Sequence, residues 1–137
     1  MDRVVRPFLM AIIAIAWLQP AHAWETGVDQ DMPILDCTGA PMNGADLLVL
    51  RVKPVSGSYG LPILVGLKDG KTLWSRELLQ AEEINAAKSS ARCKGSRGRN
   101  GEVIDVASQH PGNSPWAIQR FRWDGQAVKK LGEWVRR

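Results

Sequence analysis

Short runs of alternating apolar and polar residues, separated by turn-forming pairs, recur along most of the chain and predict strands. Asp46 to Lys53 places Leu48, Leu50 and Val52 on one face. The other face passes from Leu47 and Val49 to Arg51 and Lys53, so this strand is buried at one end and wet at the other. Leu61 to Lys68 and Lys71 to Leu78 flank Asp69-Gly70, while Trp116 to Trp123 and Gln126 to Leu131 flank Asp124-Gly125. Both patterns predict hairpins, because Asp and Gly accept the positive φ angles of a tight primed turn. A two-residue turn in the second hairpin sets Phe121 opposite Val128 and Trp123 opposite Gln126, with Arg120 and Arg122 on the reverse face. Glu102 to Ala107 reads as a further strand. One helix is expected over Gln80 to Lys88, which is rich in Ala and Glu and carries a thin apolar stripe of Ala81, Ile84 and Ala87. LKDGKTLW and RWDGQAVK echo one another, but two copies do not build a solenoid or propeller. The expected fold is mainly β: a single small antiparallel β-sandwich or barrel with one short helix and one disulfide.

The first 23 residues depart from this pattern. Arg3 and Arg6 precede an unbroken apolar run of 11 residues, Phe8 to Leu18, and Ala21-His22-Ala23 supplies small residues for cleavage. Pro20 ends the apolar stretch just before that site. The run is shorter than the roughly 20 apolar residues that span a bilayer, which favours a cleaved export signal over a retained anchor. No Cys follows it to take a lipid. The division expected is a signal peptide over 1–23 and an exported β-rich domain over 24–137, periplasmic or secreted, with no membrane span after cleavage.

Export changes the meaning of the cysteines. Cys37 and Cys93 are the only two in the chain, and in an oxidising compartment a pair of this kind is expected to form a disulfide. The loop closed would hold 57 residues, for which chain entropy gives about 4 kcal/mol. A metal site is not expected: His110 is the sole histidine after residue 23, and neither Cys has another close by. No cofactor is expected either.

Charge is distributed unevenly. Residues 24–87 carry 5 basic and 9 acidic side chains, and residues 88–137 carry 11 basic and 4 acidic. Arg92, Lys94, Arg97 and Arg99 lie in a Gly/Ser-rich stretch, and Arg120 and Arg122 form the reverse face of the second hairpin. Together they are candidates to bind a polyanion. The alternative is a solvated loop, since no aromatic residues are interleaved for base stacking.

Catalysis is not expected. A Ser or Cys nucleophile needs a neighbouring base, and the one histidine available sits in the turn-forming run Gln109-His-Pro-Gly-Asn-Ser-Pro115. Glu82 and Glu83 are adjacent, and on a helix they would point apart. Two turn-rich segments suit recognition better: Pro54 to Gly60, containing Ser56-Gly57-Ser58-Tyr59, and His110 to Trp116, containing Asn113, Ser114 and Trp116. Each joins small polar residues to one large aromatic, which provides contact area and hydrogen bonding at low entropic cost. Each would also serve as a plain connector between strands.

Ser56-Gly57-Ser58-Tyr59 resembles the short Ser-Gly-x-Tyr motif with which periplasmic lysozyme inhibitors plug the lysozyme cleft. The order from Leu61 onward, with LKDGKTLW, EVIDVASQ and FRWDGQAVKKLGE, is similar to the β-sandwich of the inhibitors of invertebrate-type lysozyme. In that family the motif belongs to a later loop, where this chain has Gly112 to Trp116. The resemblance implies that a hydroxyl of Ser56 or Ser58 bonds a catalytic carboxylate while Tyr59 packs on the cleft wall. The partner expected is therefore another protein, a lysozyme-like hydrolase or an envelope protein served by an accessory or immunity factor. A polyanion is the alternative, and the oligomeric state is open.

Overall fold

The computed structural model describes residues 29–112 and 114–136, so the export-signal reading and Asn113 lie outside the described residues. Nine strands are present: β1 (Gln30–Leu35), β2 (Leu47–Ser56), β3 (Tyr59–Lys68), β4 (Lys71–Glu77), β5 (Ile84–Asn85), β6 (Ser89–Cys93), β7 (Glu102–Gln109), β8 (Trp116–Trp123) and β9 (Val128–Arg136). Their order in the sheet is β4-β3-β2-β1-β6-β7-β8-β9, with β5 added to β3. The pairs are antiparallel except β1 with β6, which run parallel through Ile34↔Ala91 and Leu35↔Arg92. The sheet curls far enough for Leu78, just past β4, to bridge Val128 at the start of β9. The outcome is a half-barrel wrapped around one core.

Alternation along the strands decides what fills it. Leu48, Leu50 and Val52 of β2 are buried as their spacing requires, and they meet Leu64, Ile104, Val106, Phe121 and Trp123 from the other strands. Each such side chain contributes about 1.5–3 kcal/mol by leaving water. Two tryptophans extend the core to one end of the sheet. Trp123 stacks on Trp74 at 5.0 Å between centroids. Their indole nitrogens donate to the carbonyls of Pro41 (2.7 Å) and Met42 (3.0 Å), which pins the β1–β2 connection over that end. Gly66 makes this possible: a Cβ there would run into the Trp74 ring.

The disulfide Cys37–Cys93 is formed, with Cα atoms 5.0 Å apart. It lies just beyond the Leu35↔Arg92 pair and staples the end of the parallel β1–β6 ladder. Parallel neighbours gain slightly less from their hydrogen bonds than antiparallel ones, so the crosslink reinforces the weaker seam of the sheet.

Two expectations require correction. The Asp69-Gly70 hairpin is a two-residue turn, with Lys68 opposite Lys71. The second hairpin has a four-residue connection: Trp123 faces Val128, and Phe121 faces Lys130. The reason is local, since Asp124 Oδ1 accepts from the backbone N–H groups of Gln126 (2.8 Å) and Ala127 (2.9 Å), closing a wider loop. Phe121 and Trp123 are nonetheless both in the core, and Arg120 and Arg122 are on the reverse face.

The helix expected over 80–88 is a single 3-10 turn, Ala86–Lys88. The segment before it is an extended strap across the open side of the half-barrel. Side chains rather than helical neighbours satisfy its backbone. Gln119 of β8 receives a bond from Glu82 N–H (2.8 Å) and gives one to its carbonyl (3.2 Å). Ser108 of β7 accepts from Asn85 N–H at 2.8 Å. Ile84 is fully buried, and its burial outweighs a helix preference of a few tenths of a kcal/mol per residue.

Candidate functional site

The β2–β3 hairpin turns on Gly57-Ser58, with Ser56 paired to Tyr59. Gly57 has φ 58° while Ser58 stays out of the positive region, the pattern of a type II′ turn. Ser56 and Gly57 are exposed, and Ser58 and Tyr59 are half-buried. The tip is thus presented to solvent with its one aromatic side chain partly supported.

That support comes from the second loop. The Tyr59 ring stacks on His110, 5.6 Å between centroids and 21° between planes, an offset geometry in which aromatic pairs attract. His110 is exposed and opens the β7–β8 connection. This loop is held by its own bonds: Gln109 Nε2 donates to the Ser114 carbonyl (2.9 Å), and the Ser114 hydroxyl donates to that of Pro111 (3.1 Å). Half-buried Trp116 follows, paired with Gln109 across the ladder.

Asn85 ties the two loops from beneath. Its backbone pairs with Tyr59 in the β3–β5 ladder. Its side-chain Nδ2 donates to the Gln109 carbonyl at 2.8 Å, and its Oδ1 accepts from Ala87 N–H at 3.1 Å. The adjacent Ala86 N–H reaches the Ser58 carbonyl at 2.8 Å. Asn85 is 6% exposed, and a buried amide with its hydrogen-bonding groups matched fixes one geometry. Ser56, Gly57, Ser58, Tyr59, His110, Ser114 and Trp116 therefore share one rim of the half-barrel. Exposed Glu82 and Glu83 stand on the strap that supports it.

The basic candidates lie on β6, on the β6–β7 loop and on β8. Arg120 is locked to Asp105 through two bonds of 2.6 and 2.7 Å, and its guanidinium lies 4.8 Å from the Trp134 ring centroid. The bonds from Asp105 raise the Arg120 pKa above its ordinary value. Arg122 donates to the carbonyls of Ser96 (2.9 Å) and Asn100 (3.5 Å), which ties down the β6–β7 loop. Arg92 shares a 3.2 Å contact with Asp36. Lys94, Arg97 and Arg99 are exposed. Arg92 and Arg120 thus share one row across β6, β7 and β8 with Asp105 between them.

Sequence reasoning placed His110 in the second loop but not against Tyr59, and missed Asn85 as the residue beneath both. Nothing in the sequence pairs residue 59 with residue 110, and Asn85 was concealed in a stretch with helical composition. A hint existed in the Asn itself, which favours caps and turns over helix interiors.

Comparison with known proteins returns no match to a family model, a curated protein or a solved structure. Among the described residues, no helix is long and apolar enough to cross a membrane, and no group of three or more His, Cys, Asp or Glu side chains is placed to hold a metal ion.

Proposed function

We propose that this is an exported, non-enzymatic domain that binds another protein through the rim built by the Ser56–Tyr59 tip and the His110–Trp116 loop, with a lysozyme-like hydrolase as the leading target. The observation that carries the proposal is the Tyr59–His110 stack, which joins two loops 50 residues apart in sequence into one surface. Small hydroxyl and amide groups around a half-supported aromatic suit a carboxylate-lined cleft, where Ser56 or Ser58 would donate to an acid and Tyr59 would cover the wall.

Export, followed by a periplasmic or secreted location and cleavage after Ala23, belongs to this reading. The formed disulfide supports it. Charge sets a condition on it: lysozymes are usually basic and residues 24–137 carry 16 basic and 13 acidic side chains, so encounter requires the acidic part, residues 24–87 with 9 acidic and 5 basic side chains, to face the enzyme, and the rim tip lies in that part. We take the half-barrel for a variant of the sandwich-or-barrel class that presents its loops at one end.

The test is an inhibition titration against chicken-, goose- and invertebrate-type lysozymes. The protein is expected to slow at least one type, and Tyr59→Ala to weaken the effect measurably. Failure against all three would reject the hydrolase target, and an envelope protein co-purified from the periplasm would then be the partner that the rim serves.

A further inference from the structure

A second surface, on the outer face of β6–β9, has the makings of a compact anion site. Register places Arg92, Asp105 and Arg120 side by side across β6, β7 and β8. In the next row two small residues, Ser90 and Ala107, stand opposite one another, and Ala107 stands opposite Ile118. Short side chains bordered by long ones leave a hollow, about 250 Å³ in volume. Its walls include Arg92, Lys94 and Arg136, with Ser90 beside them and the apolar side chains of Leu35 and Ile118 along its floor and edge.

Electrostatics in the hollow favour an anion. Among the described residues Asp105 is the only acidic one lining it, and both of its oxygens are occupied by Arg120. That pair cancels internally, so the charges left to face the hollow are three cations. Arg92 keeps only a loose hold on Asp36, both being more than half exposed, and a contact of that kind is worth little in water. The site is also mechanically fixed. Arg92 and Lys94 flank Cys93, and the disulfide holds their strand against Leu35 and Asp36.

We propose that this hollow binds a phosphate monoester, with Arg92 and its neighbour Lys94 neutralising its charge, the Ser90 hydroxyl donating to one of its oxygens and Arg136 adding positive charge from the far end of the hollow. The volume suits one headgroup rather than a length of polymer, and Leu35, 47% exposed, supplies an apolar shelf for whatever carries the phosphate. The carrier is either a small soluble ester or a lipid.

The test uses the disulfide-bonded protein purified from a periplasm. Calorimetric titration with glycerol phosphate covers the soluble source, and sedimentation with vesicles containing phosphatidic acid, against plain phosphatidylcholine vesicles, covers the lipid. Saturable, salt-sensitive binding in either arm is expected. Arg92→Ala and Lys94→Ala should each weaken it roughly ten-fold, the usual loss for one charge-assisted contact. Lys53→Ala and Tyr59→Ala, outside the hollow, should leave it within about two-fold. No saturable binding in either arm, or binding that Lys53→Ala weakens as much as Arg92→Ala does, would overturn the proposal. Because the Tyr59 rim plays no part, lysozyme inhibition can fail while this site stands, or the reverse.

Discussion

Replacing Asn85 with Ala removes two side-chain bonds: the one from Nδ2 to the Gln109 carbonyl, which ties the strap to the end of β7, and the one from Ala87 N–H to Oδ1, which caps the 3-10 turn. Each bond has a net value of about 0.5–1.5 kcal/mol, and a group left unpaired in the interior costs about 1–3 kcal/mol. Ala87 is exposed and Gln109 half-buried, so water repairs part of the loss, and the expected destabilisation is about 2–3 kcal/mol. Urea unfolding followed by tryptophan fluorescence measures it. Hydrogen exchange should also show the amides of Tyr59 and of the Gln109–Trp116 loop opening more readily than those of β2 and β7. Asn85→Asp sharpens the test. The carboxylate still accepts from Ala87 N–H but faces the Gln109 carbonyl without a proton to give. Burial and that carbonyl raise its pKa in the folded state, so only the protonated acid restores the bond to Gln109. Stability relative to wild type should be highest at acid pH and fall as pH rises through the raised folded pKa. A change below about 0.5 kcal/mol for Asn85→Ala, which is the ordinary scatter of surface substitutions, together with a pH-independent Asp variant, would refute the role given to Asn85.

Three further outcomes follow from the same geometry. Reduction of Cys37–Cys93, or its replacement by two serines, should cost up to about 4 kcal/mol for the 57-residue loop, read as a lower urea midpoint; an unchanged midpoint would mean that the β1–β6 seam does not need its staple. Gln80 occupies the left-handed region at φ 63° and is exposed, so Gln80→Gly should raise stability by about 0.5–1 kcal/mol, and a loss would show that its side chain matters. Hydrogen bonds from Ala127 and Gln126 N–H hold the Asp124 pKa below its usual value; its contribution is complete above about pH 4, the unfolded value, and lost as pH falls through the folded one. Asp124→Asn keeps the acceptor but does not titrate, so the acid limb of the stability profile should flatten slightly, and superimposable limbs would count against that bond.

Strands and core were legible because alternation is a local property: Leu48, Leu50 and Val52 announce their burial without reference to a partner. The disulfide was legible because only two cysteines had to be matched. The strap was not. Ala and Glu favour helix within residues 80–88, and the competing terms, Ser108 and Gln119 bonding to the strap backbone, come from strands at least 20 residues further along the chain. The four-residue second hairpin turned on one side chain, Asp124, reaching two amides. For the site, composition marked both loops but not their meeting, which depends on the curl of the sheet. Among the basic candidates, the pairing of Arg120 with Asp105, its neighbour across the ladder, was hidden for a related reason, since strand register decides it.

The central claim is that two loops act as one binding surface, and a double-mutant cycle on lysozyme inhibition tests it most directly. Inhibition constants for wild type, Tyr59→Ala, His110→Ala and the double variant give the coupling between the loops. Residues in contact that act as one site should couple by about 0.5–1.5 kcal/mol, with the second substitution costing little once the first is made. Strictly additive losses, or full inhibition by both single variants, would contradict it.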